Sequence, residues 1–136
     1  MQLNAYLNFK GDCEAAFKLY ERCFGGKIEM MLTHGESPMA NQVSAEWHKK
    51  IMHARLVVGD EVLMGSDAPP DRYSQPKGFC VSIGIDKPAE AERIFKALAE
   101  KGTVQMELQQ TFWAARFGML VDRFGIPWMI NCQQPA

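Results

Sequence analysis

The stretch Ala16-Phe-Lys-Leu-Tyr-Glu-Arg-Cys-Phe-Gly-Gly26 carries apolar side chains three and four positions apart and ends in two glycines. This spacing predicts an amphipathic helix that stops at the glycine pair. The same pattern returns 75 positions further along, where Ala16, Leu19, Tyr20, Cys23 and Phe24 are matched by Ala91, Ile94, Phe95, Leu98 and Ala99. Gly26 and Gly102 match after a slip of one residue. The sequence therefore predicts an internal repeat.

Extended segments surround each helix in the same order. In the first half, apolar alternation predicts strands over 3–9, 27–33, 51–58 and 61–66, with Asp12 capping the helix and Gly59-Asp60 forming a hairpin turn. In the second half it predicts strands over 79–85, 103–109, 117–121 and 126–131, with the helix starting near Pro88. Between them, 34–50 is expected to be an irregular, mobile segment with one short helical turn. We predict one α+β domain over 1–136 made of two βαβββ modules, 1–66 and 79–136, joined by the proline-containing linker 67–78.

One helix covers only one face of a four-stranded sheet, so the other face needs a partner. Along the third strand the apolar set predicted to face the helix is Met52, Ala54, Leu56 and Val58, and the mixed set predicted to face away is Ile51, His53, Arg55 and Val57. Along the fifth strand, Phe79, Val81, Ile83 and Ile85 are expected to pack. Two such curved sheets, from one chain or from two, are expected to enclose a cavity for a small ligand.

The composition excludes several classes of protein. The 136 residues are 47 % hydrophobic and carry a formal net charge of −1, so no basic excess exists to bind nucleic acid. No apolar run reaches the roughly 18 to 20 residues that a membrane span needs, and no signal-peptide pattern opens the chain. Four scattered cysteines without a Cys-x-x-Cys pair favour reduced, packed thiols. We therefore expect a cytoplasmic protein.

Several motifs resemble one family across nearly the whole chain. They are Tyr6-Leu7-x-Phe9-x-Gly11, Ala16-x3-Tyr20-x3-Phe24-Gly25-Gly26, Ile51-Met52-His53-Ala54-x-Leu56, Leu63-Met64-x-Ser66-Asp67, Thr111-Phe112-Trp113 and Asp122-x-Phe124-Gly125-x-Pro127-Trp128. This order resembles the PhnB-like branch of the vicinal oxygen chelate (glyoxalase/bleomycin resistance/dioxygenase) superfamily. The resemblance implies paired βαβββ modules around a cavity. Its members include metal-dependent enzymes and drug-binding proteins without catalytic activity.

Catalysis in that superfamily normally uses a divalent metal held by His, Glu or Gln of the strands. The matching positions here are Met129 and Leu63, four residues after the turn glycines, Cys80 or Ser82, and Tyr6, Ala5 or Asn4. None of these sets supplies the nitrogen and carboxylate ligands of such sites, so we expect no metal. No glycine-rich nucleotide loop is present either, so we expect no cofactor and reject the demethylubiquinone methyltransferase label that this branch has carried.

His53 is the candidate for catalysis. It is either a strand histidine hydrogen-bonded across the sheet or an acid/base group facing the cavity. Arg55, two residues along on the same face, either binds an anionic substrate or pairs with Glu61 across the hairpin. Asp67 is expected to cap the linker turn. Tyr6, Cys80, Trp113 and Met129 complete the predicted ligand-binding residues, with Trp113 either stacking on a ligand or packing.

The function predicted from the sequence is binding of a small organic molecule, with metal-independent proton transfer of the lyase or isomerase type if the protein is an enzyme. The alternative is a protein that only sequesters a drug or metabolite. A third possibility keeps a metal through His53 and Cys80. We expect a homodimer, because each sheet leaves open edges and an apolar surface that a twofold partner can cover.

Overall fold

The computed structural model describes residues 1–133, which form two compact units divided after Ser74. The first unit contains β1 (Tyr6–Phe9), α1 (Cys13–Phe24), β2 (Lys27–Thr33), β3 (Ile51–Val58) and β4 (Glu61–Asp67). The second contains β5 (Val81–Ile85), α2 (Pro88–Ala99), β6 (Thr103–Gln109), β7 (Ala114–Val121) and β8 (Pro127–Gln133). The end of the second predicted module, 134–136, lies outside the described residues.

Each unit has one mixed four-stranded sheet with the same connectivity. The strand orders are β1-β4-β3-β2 and β5-β8-β7-β6, and the first strand of each unit pairs in parallel with the last. The other neighbours are antiparallel. The predicted α+β fold of two βαβββ modules is thereby confirmed.

The apolar stripe of α1 packs on one face of the first sheet. Ala16, Phe17 and Tyr20 are fully buried, and the ring centroids of Phe9 and Phe17 lie 6.1 Å apart, edge to face. Gly25 ends the helix in the left-handed region at φ 72°, where its amide donates to the carbonyl of Glu21. This conformation costs glycine little, which is why the glycine pair marks the end of the helix.

The glycines that follow the two helices sit in equivalent close contacts. A Cβ at Gly26 would lie 2.5 Å from the carbonyl oxygen of Val57, and one at Gly102 would lie 2.4 Å from that of Val121. Each chain turn therefore passes directly over a neighbouring strand, where only a residue without a side chain fits. The repeat seen in the sequence is a repeat of this packing.

Two buried aspartates hold the ends of strands. Asp122 accepts hydrogen bonds at Oδ1 from the amides of Phe124 and Ile126, and at Oδ2 from the indole of Trp128. The carboxylate of Asp67 accepts from the amides of Gly11, Cys13 and Ile51. The prediction that Asp67 caps the linker turn was wrong, since its carboxylate binds the start of α1 and the start of β3. Asp12 makes no capping hydrogen bond with its side chain.

Several boundaries differ from the sequence-based expectations. The first strand begins at Tyr6 rather than residue 3, and β5 begins at Val81 rather than residue 79. Phe79 is 62 % exposed, so its predicted packing was wrong. Segment 34–50 holds two short 3-10 helices, Ala40–Gln42 and Ala45–Trp47, where one turn was predicted. Over the described part of the chain, neither helix has the length and apolar character needed to cross a membrane.

Candidate functional site

The open face of the first sheet, opposite α1, carries the polar side chains of interest. On β1, Leu7 and Phe9 are buried while Tyr6 is 44 % exposed. Tyr6 lies opposite Met64 on β4, and Met64 lies opposite Arg55 on β3. Residues directly opposite each other share a face, so Tyr6, Met64 and Arg55 form one row across the open face.

A β-bulge in β3 changes which of its residues reach that face. His53 pairs with Leu32 and Ile51 pairs with Thr33, so Met52 is the extra residue in the ladder. Ile51 is only 2 % exposed and joins the buried set, whereas Met52 and His53 are both half-buried. The predicted alternation was therefore wrong for Ile51 and Met52, because it assumed an unbroken strand. It was right that Ala54 and Leu56 are buried.

Tyr6 and His53 form a stacked, hydrogen-bonded pair. The Tyr6 hydroxyl lies 3.0 Å from Nδ1 of His53, and the ring centroids are 5.7 Å apart at an interplanar angle of 24°. Within residues 1–133, Nε2 of His53 has no hydrogen-bond partner. The hydroxyl can donate to Nδ1 or accept from it, according to the tautomer. The pair therefore orients an imidazole whose second nitrogen is available to a ligand.

Arg55 pairs with Glu29 rather than with Glu61. Its Nε lies 2.9 Å from Oε1 of Glu29, and the two side chains are 34 % and 58 % exposed. Glu61 lies opposite Val58 in the hairpin register, which carries it away from Arg55. The predicted cross-hairpin pair was therefore wrong. The contact with Glu29 uses Nε, and the two terminal guanidinium nitrogens have no partner among the described residues, so they can bind an anion.

The remaining predicted residues belong to the second unit. Met129 lies opposite Ser82 and Met119, which puts these three residues on the open face of the second sheet. Trp113 is 49 % exposed, and its ring contacts those of Phe112 and Phe117 with centroids 4.7 and 5.3 Å away. Cys80 is half-buried at a cavity of about 520 Å³. Trp128 and Ile130 are core residues, as expected.

The strand positions that the resemblance implies for metal ligands do not fit a metal here. In the first sheet the open-face residues are Tyr6 and Met64, because Leu63 lies opposite the buried Leu56. In the second they are Ser82 and Met129. Thioethers and hydroxyls do not replace the imidazoles and carboxylates that Zn, Mn or Fe sites use. Among residues 1–133, no three His, Cys, Asp or Glu side chains lie together in a way that could hold an ion.

Sequence reasoning missed a set of residues at the end of the first sheet. Segment 34–50 folds over this end and leaves two neighbouring cavities of about 470 and 390 Å³. The lining of the smaller one includes Asn8, His34, Met52 and Ser66, and Arg72 borders both. No periodic pattern marked 34–50 as more than a connecting loop, so its role in forming cavities was not predictable.

Three comparisons relate this chain to known proteins. The sequence profile of the Glyoxalase/Bleomycin resistance protein/Dioxygenase superfamily matches residues 2–130. The chain is 37 % identical to protein YjdN of Escherichia coli (strain K12), over 100 % of this chain and 99 % of the relative. It is 52 % identical to protein PA1353 of Pseudomonas aeruginosa, whose crystal structure superposes with a TM-score of 0.91 over 99 % of both chains.

A more distant structure supports the fold alone. The PhnB protein of Bacillus cereus is 19 % identical and superposes with a TM-score of 0.81, covering 97 % of this chain and 99 % of that one. The resemblance predicted from the motifs is confirmed. The chain belongs to the glyoxalase/bleomycin resistance protein/dioxygenase superfamily.

Proposed function

We propose that this protein binds a small organic anion with an apolar body on the open face of its first sheet, and that His53 exchanges a proton with it without using a metal. The observation that carries the proposal is the Tyr6–His53 pair, with 3.0 Å between the hydroxyl and Nδ1. It fixes the imidazole while leaving Nε2 for a substrate. A general base must first be held in position and then be within reach of the proton.

The division of roles follows from the contacts of each residue. In the tautomer that has hydrogen on Nδ1, His53 donates to the Tyr6 oxygen, and Nε2 carries the lone pair that removes a proton from carbon. The terminal nitrogens of Arg55 bind the anionic group of the ligand. The proton then returns from Nε2 to another atom of the substrate, which is an isomerisation, or a leaving group departs, which is a lyase reaction. Tyr6 is a positioning residue whose ring also packs against the ligand.

Phenylpyruvate is a suitable probe because it joins a carboxylate, an aromatic ring and a carbon acid in one molecule. We would follow deuterium uptake at the carbon next to its carbonyl by proton NMR in deuterium oxide, with EDTA present throughout. The expected result is catalysed exchange that falls about 100-fold in His53→Gln, in line with the usual contribution of a general base. His48→Gln is the matched control, because His48 Nε2 lies 2.9 Å from the Ala40 carbonyl, within segment 34–50.

Two further variants separate positioning from binding. Tyr6→Phe removes the hydroxyl but keeps the ring, so exchange should slow at saturating phenylpyruvate with KM unchanged. Arg55→Gln should raise KM roughly tenfold through loss of a charge-assisted contact. Unchanged exchange in His53→Gln, or no binding of phenylpyruvate to the native protein, would overturn the proposal.

The sequestering alternative rests on a different feature. Phe112 is 92 % exposed beside Trp113, which offers aromatic faces on which a planar drug or metabolite can stack. Binding of phenylpyruvate without exchange, with an affinity that stays constant between about pH 6 and 8, would favour this function over catalysis. If Trp113→Ala abolished this binding and His53→Gln did not, the binding site for phenylpyruvate would lie at Phe112 and Trp113. Cys80 and Met129 are proposed to contact a ligand in the same unit.

We also propose a cytoplasmic homodimer. Support for the dimer comes from the edge strand β6, whose first five residues are exposed, and from the exposed Phe79. Support for the compartment comes from four cysteines without a disulfide, three of them buried. Sedimentation equilibrium should give twice the chain mass of 15.3 kDa. A mass of one chain would contradict the dimer.

A further inference from the structure

Glu29 reaches Arg55 through a bulge in β2. In the pairing of β2 with β3, Ile28 lies opposite Leu56. The next pair joins Met30 to Arg55, so Glu29 is an extra residue without a direct partner in the ladder. A bulge of this kind bends its strand and redirects the side chain of the extra residue. The carboxylate of Glu29 lies beside the guanidinium of Arg55, with 2.9 Å between Oε1 and Nε.

The second sheet has a bulge at the equivalent point. In the pairing of β6 with β7, Val104 lies opposite Leu120. The next pair joins Met106 to Met119, so Gln105 is the extra residue there. The irregularity of the backbone is therefore part of the repeated fold, and it does not depend on charged side chains.

The side chains at the two bulges differ in charge. Gln105 takes the place of Glu29, and Met119 takes the place of Arg55. Arg55 lies opposite Met64, in the row that crosses the open face of the first sheet. The fold thus accepts neutral residues at both positions. The acid and the base are a feature of the first unit alone, where the ligand is proposed to bind.

Stability does not explain the pair, because ion pairs as exposed as this one contribute little. A second pair has nearly the same form. Nε of Arg116 lies 2.9 Å from Oε1 of Glu92, and the two side chains are 33 % and 56 % exposed. Glu92 belongs to α2 and Arg116 lies opposite the buried Cys132, so this pair lies on the helix-covered face of its sheet. It is a matched control for the pair on the open face.

Glu29 decides which part of Arg55 a ligand meets and how much charge it meets there. Nε is taken by Glu29, while the two terminal nitrogens have no partner among the described residues and can bind two oxygens of one anionic group. The negative charge of Glu29 offsets much of the attraction that a second negative charge on that group would gain from Arg55. Lys27, opposite Val57, is a further cation on this face, but it is exposed and its charge is screened by water and salt. The pair therefore favours a singly charged anion.

We propose that Glu29 is a specificity-determining residue that makes Arg55 select carboxylates and other singly charged groups over phosphoryl dianions. The inference rests on the anion-binding role proposed for Arg55, and it deepens that role by naming the class of ligand. It does not require that His53 exchange a proton. The ligand is accordingly an organic carboxylate rather than a phosphate ester.

Three probes with the same ring separate charge from shape. Phenylacetate is a planar monoanion, phenylmethanesulfonate is a tetrahedral monoanion, and phenyl phosphate is a dianion at about pH 8, since the second pKa of phosphate groups is about 6. The Nε signal of Arg55 in a proton–nitrogen NMR spectrum, identified by its loss in Arg55→Lys, reports binding at the site. We expect the two monoanions to bind within about threefold of each other, and phenyl phosphate to bind roughly tenfold more weakly.

Glu29→Gln removes the charge, while its amide oxygen still accepts a hydrogen bond from Nε of Arg55. Phenyl phosphate should bind this variant roughly tenfold more tightly than the native protein, and the affinities for the two monoanions should change by less than about threefold. Glu92→Gln removes the same charge from the control pair and should leave all three affinities unchanged. An equal gain for phenyl phosphate in both variants would mean that the net charge of the protein sets the preference, and would overturn the proposal.

Three other results would also overturn it. The first is native binding of phenyl phosphate as tight as that of phenylacetate. The second is a preference that Glu29→Gln leaves unchanged. The third is exclusion of phenylmethanesulfonate together with phenyl phosphate, which would mean that shape decides.

The same titrations keep this inference apart from the proton-transfer proposal. An Arg55 signal that no probe moves would contradict both the selectivity given to Glu29 and the anion-binding role of Arg55. Affinities as expected, without deuterium exchange of phenylpyruvate, would overturn the role of His53 and leave that of Glu29 in place.

Discussion

The carboxylate of Asp67 accepts a hydrogen bond from the backbone amide of Cys13, with 2.9 Å between Oδ1 and the nitrogen. The same oxygen accepts from Gly11, and Oδ2 accepts from Ile51 at 2.8 Å. One side chain at the end of β4 thus satisfies amides at the start of α1 and at the start of β3. It is 2 % exposed, so these hydrogen bonds are protected from water.

We expect Asp67→Asn to lower the free energy of unfolding by about 3 kcal/mol, because one carboxamide nitrogen would face a backbone amide that then has no acceptor. Urea denaturation followed by circular dichroism measures this loss. Asp60→Asn in the exposed hairpin turn is the control, with an expected change within about 0.5 kcal/mol. Equal stabilities of the two variants would contradict the role given to Asp67.

The close contacts of Gly26 and Gly102 make a prediction about the repeat. Gly26→Ala and Gly102→Ala should each destabilise the protein by about 2 kcal/mol or more, since the added carbon meets a backbone carbonyl that cannot move aside cheaply. Gly84→Ala is the control, because nothing lies within 4 Å of a Cβ at that position. Thermal unfolding of the three variants compares them, and a Gly84→Ala variant as unstable as the others would argue against the steric explanation.

The thiols should differ in reactivity. Burial raises the pKa of the Cys13 thiol far above its usual range, and the neighbouring carboxylates of Asp67, Asp12 and Glu14 raise it further. The thiolate is the reactive form, so Cys13 should stay inert in the native protein. Cys23 and Cys132 are buried as well, whereas Cys80 is half-buried.

A colorimetric disulfide reagent at mildly alkaline pH should therefore label one thiol rapidly in the native protein. Cys80→Ser should abolish this fast phase and Cys13→Ser should leave it intact. All four thiols should react after unfolding in guanidinium chloride. A fast phase that survives Cys80→Ser would show that one of the buried thiols is accessible.

Glu36 provides a prediction about pH. Hydrogen bonds from the hydroxyl of Thr33, at 2.7 Å, and from its amide hold the pKa of the Glu36 carboxyl below its usual value of 4.5. A lowered pKa in the folded state contributes stability that is present above the unfolded value and is lost as the pH falls through the folded value. Thr33→Val should move the Glu36 pKa upward, and Thr33→Ser should not. A carbon NMR titration of the side-chain carboxyl measures both.

Much of the fold was predictable because its signals are local. The strands 27–33, 51–58 and 103–109 have the predicted bounds, since alternation and the Gly59-Asp60 turn depend only on neighbouring residues. Gly26 and Gly102, which follow the two helices, indicated the repeat in the sequence. Their close approach to the carbonyls of Val57 and Val121 explains why both positions are glycine. Prediction failed where pairing between distant strands decides a boundary. Strand β1, for example, covers only the residues that pair in parallel with Met64–Asp67.

The sequence by itself determined the repeated βαβββ order and the superfamily, and it indicated His53 as a candidate site residue. These inferences depend on periodicity, turn residues and motif order, which can be read from residues close together in the sequence. Only the tertiary structure decided that Tyr6 and His53 meet, that Arg55 turns to Glu29, and that Met52 leaves the buried face. Each of these depends on the register between strands that are distant in sequence, and a bulge of one residue reverses the facing of everything beyond it.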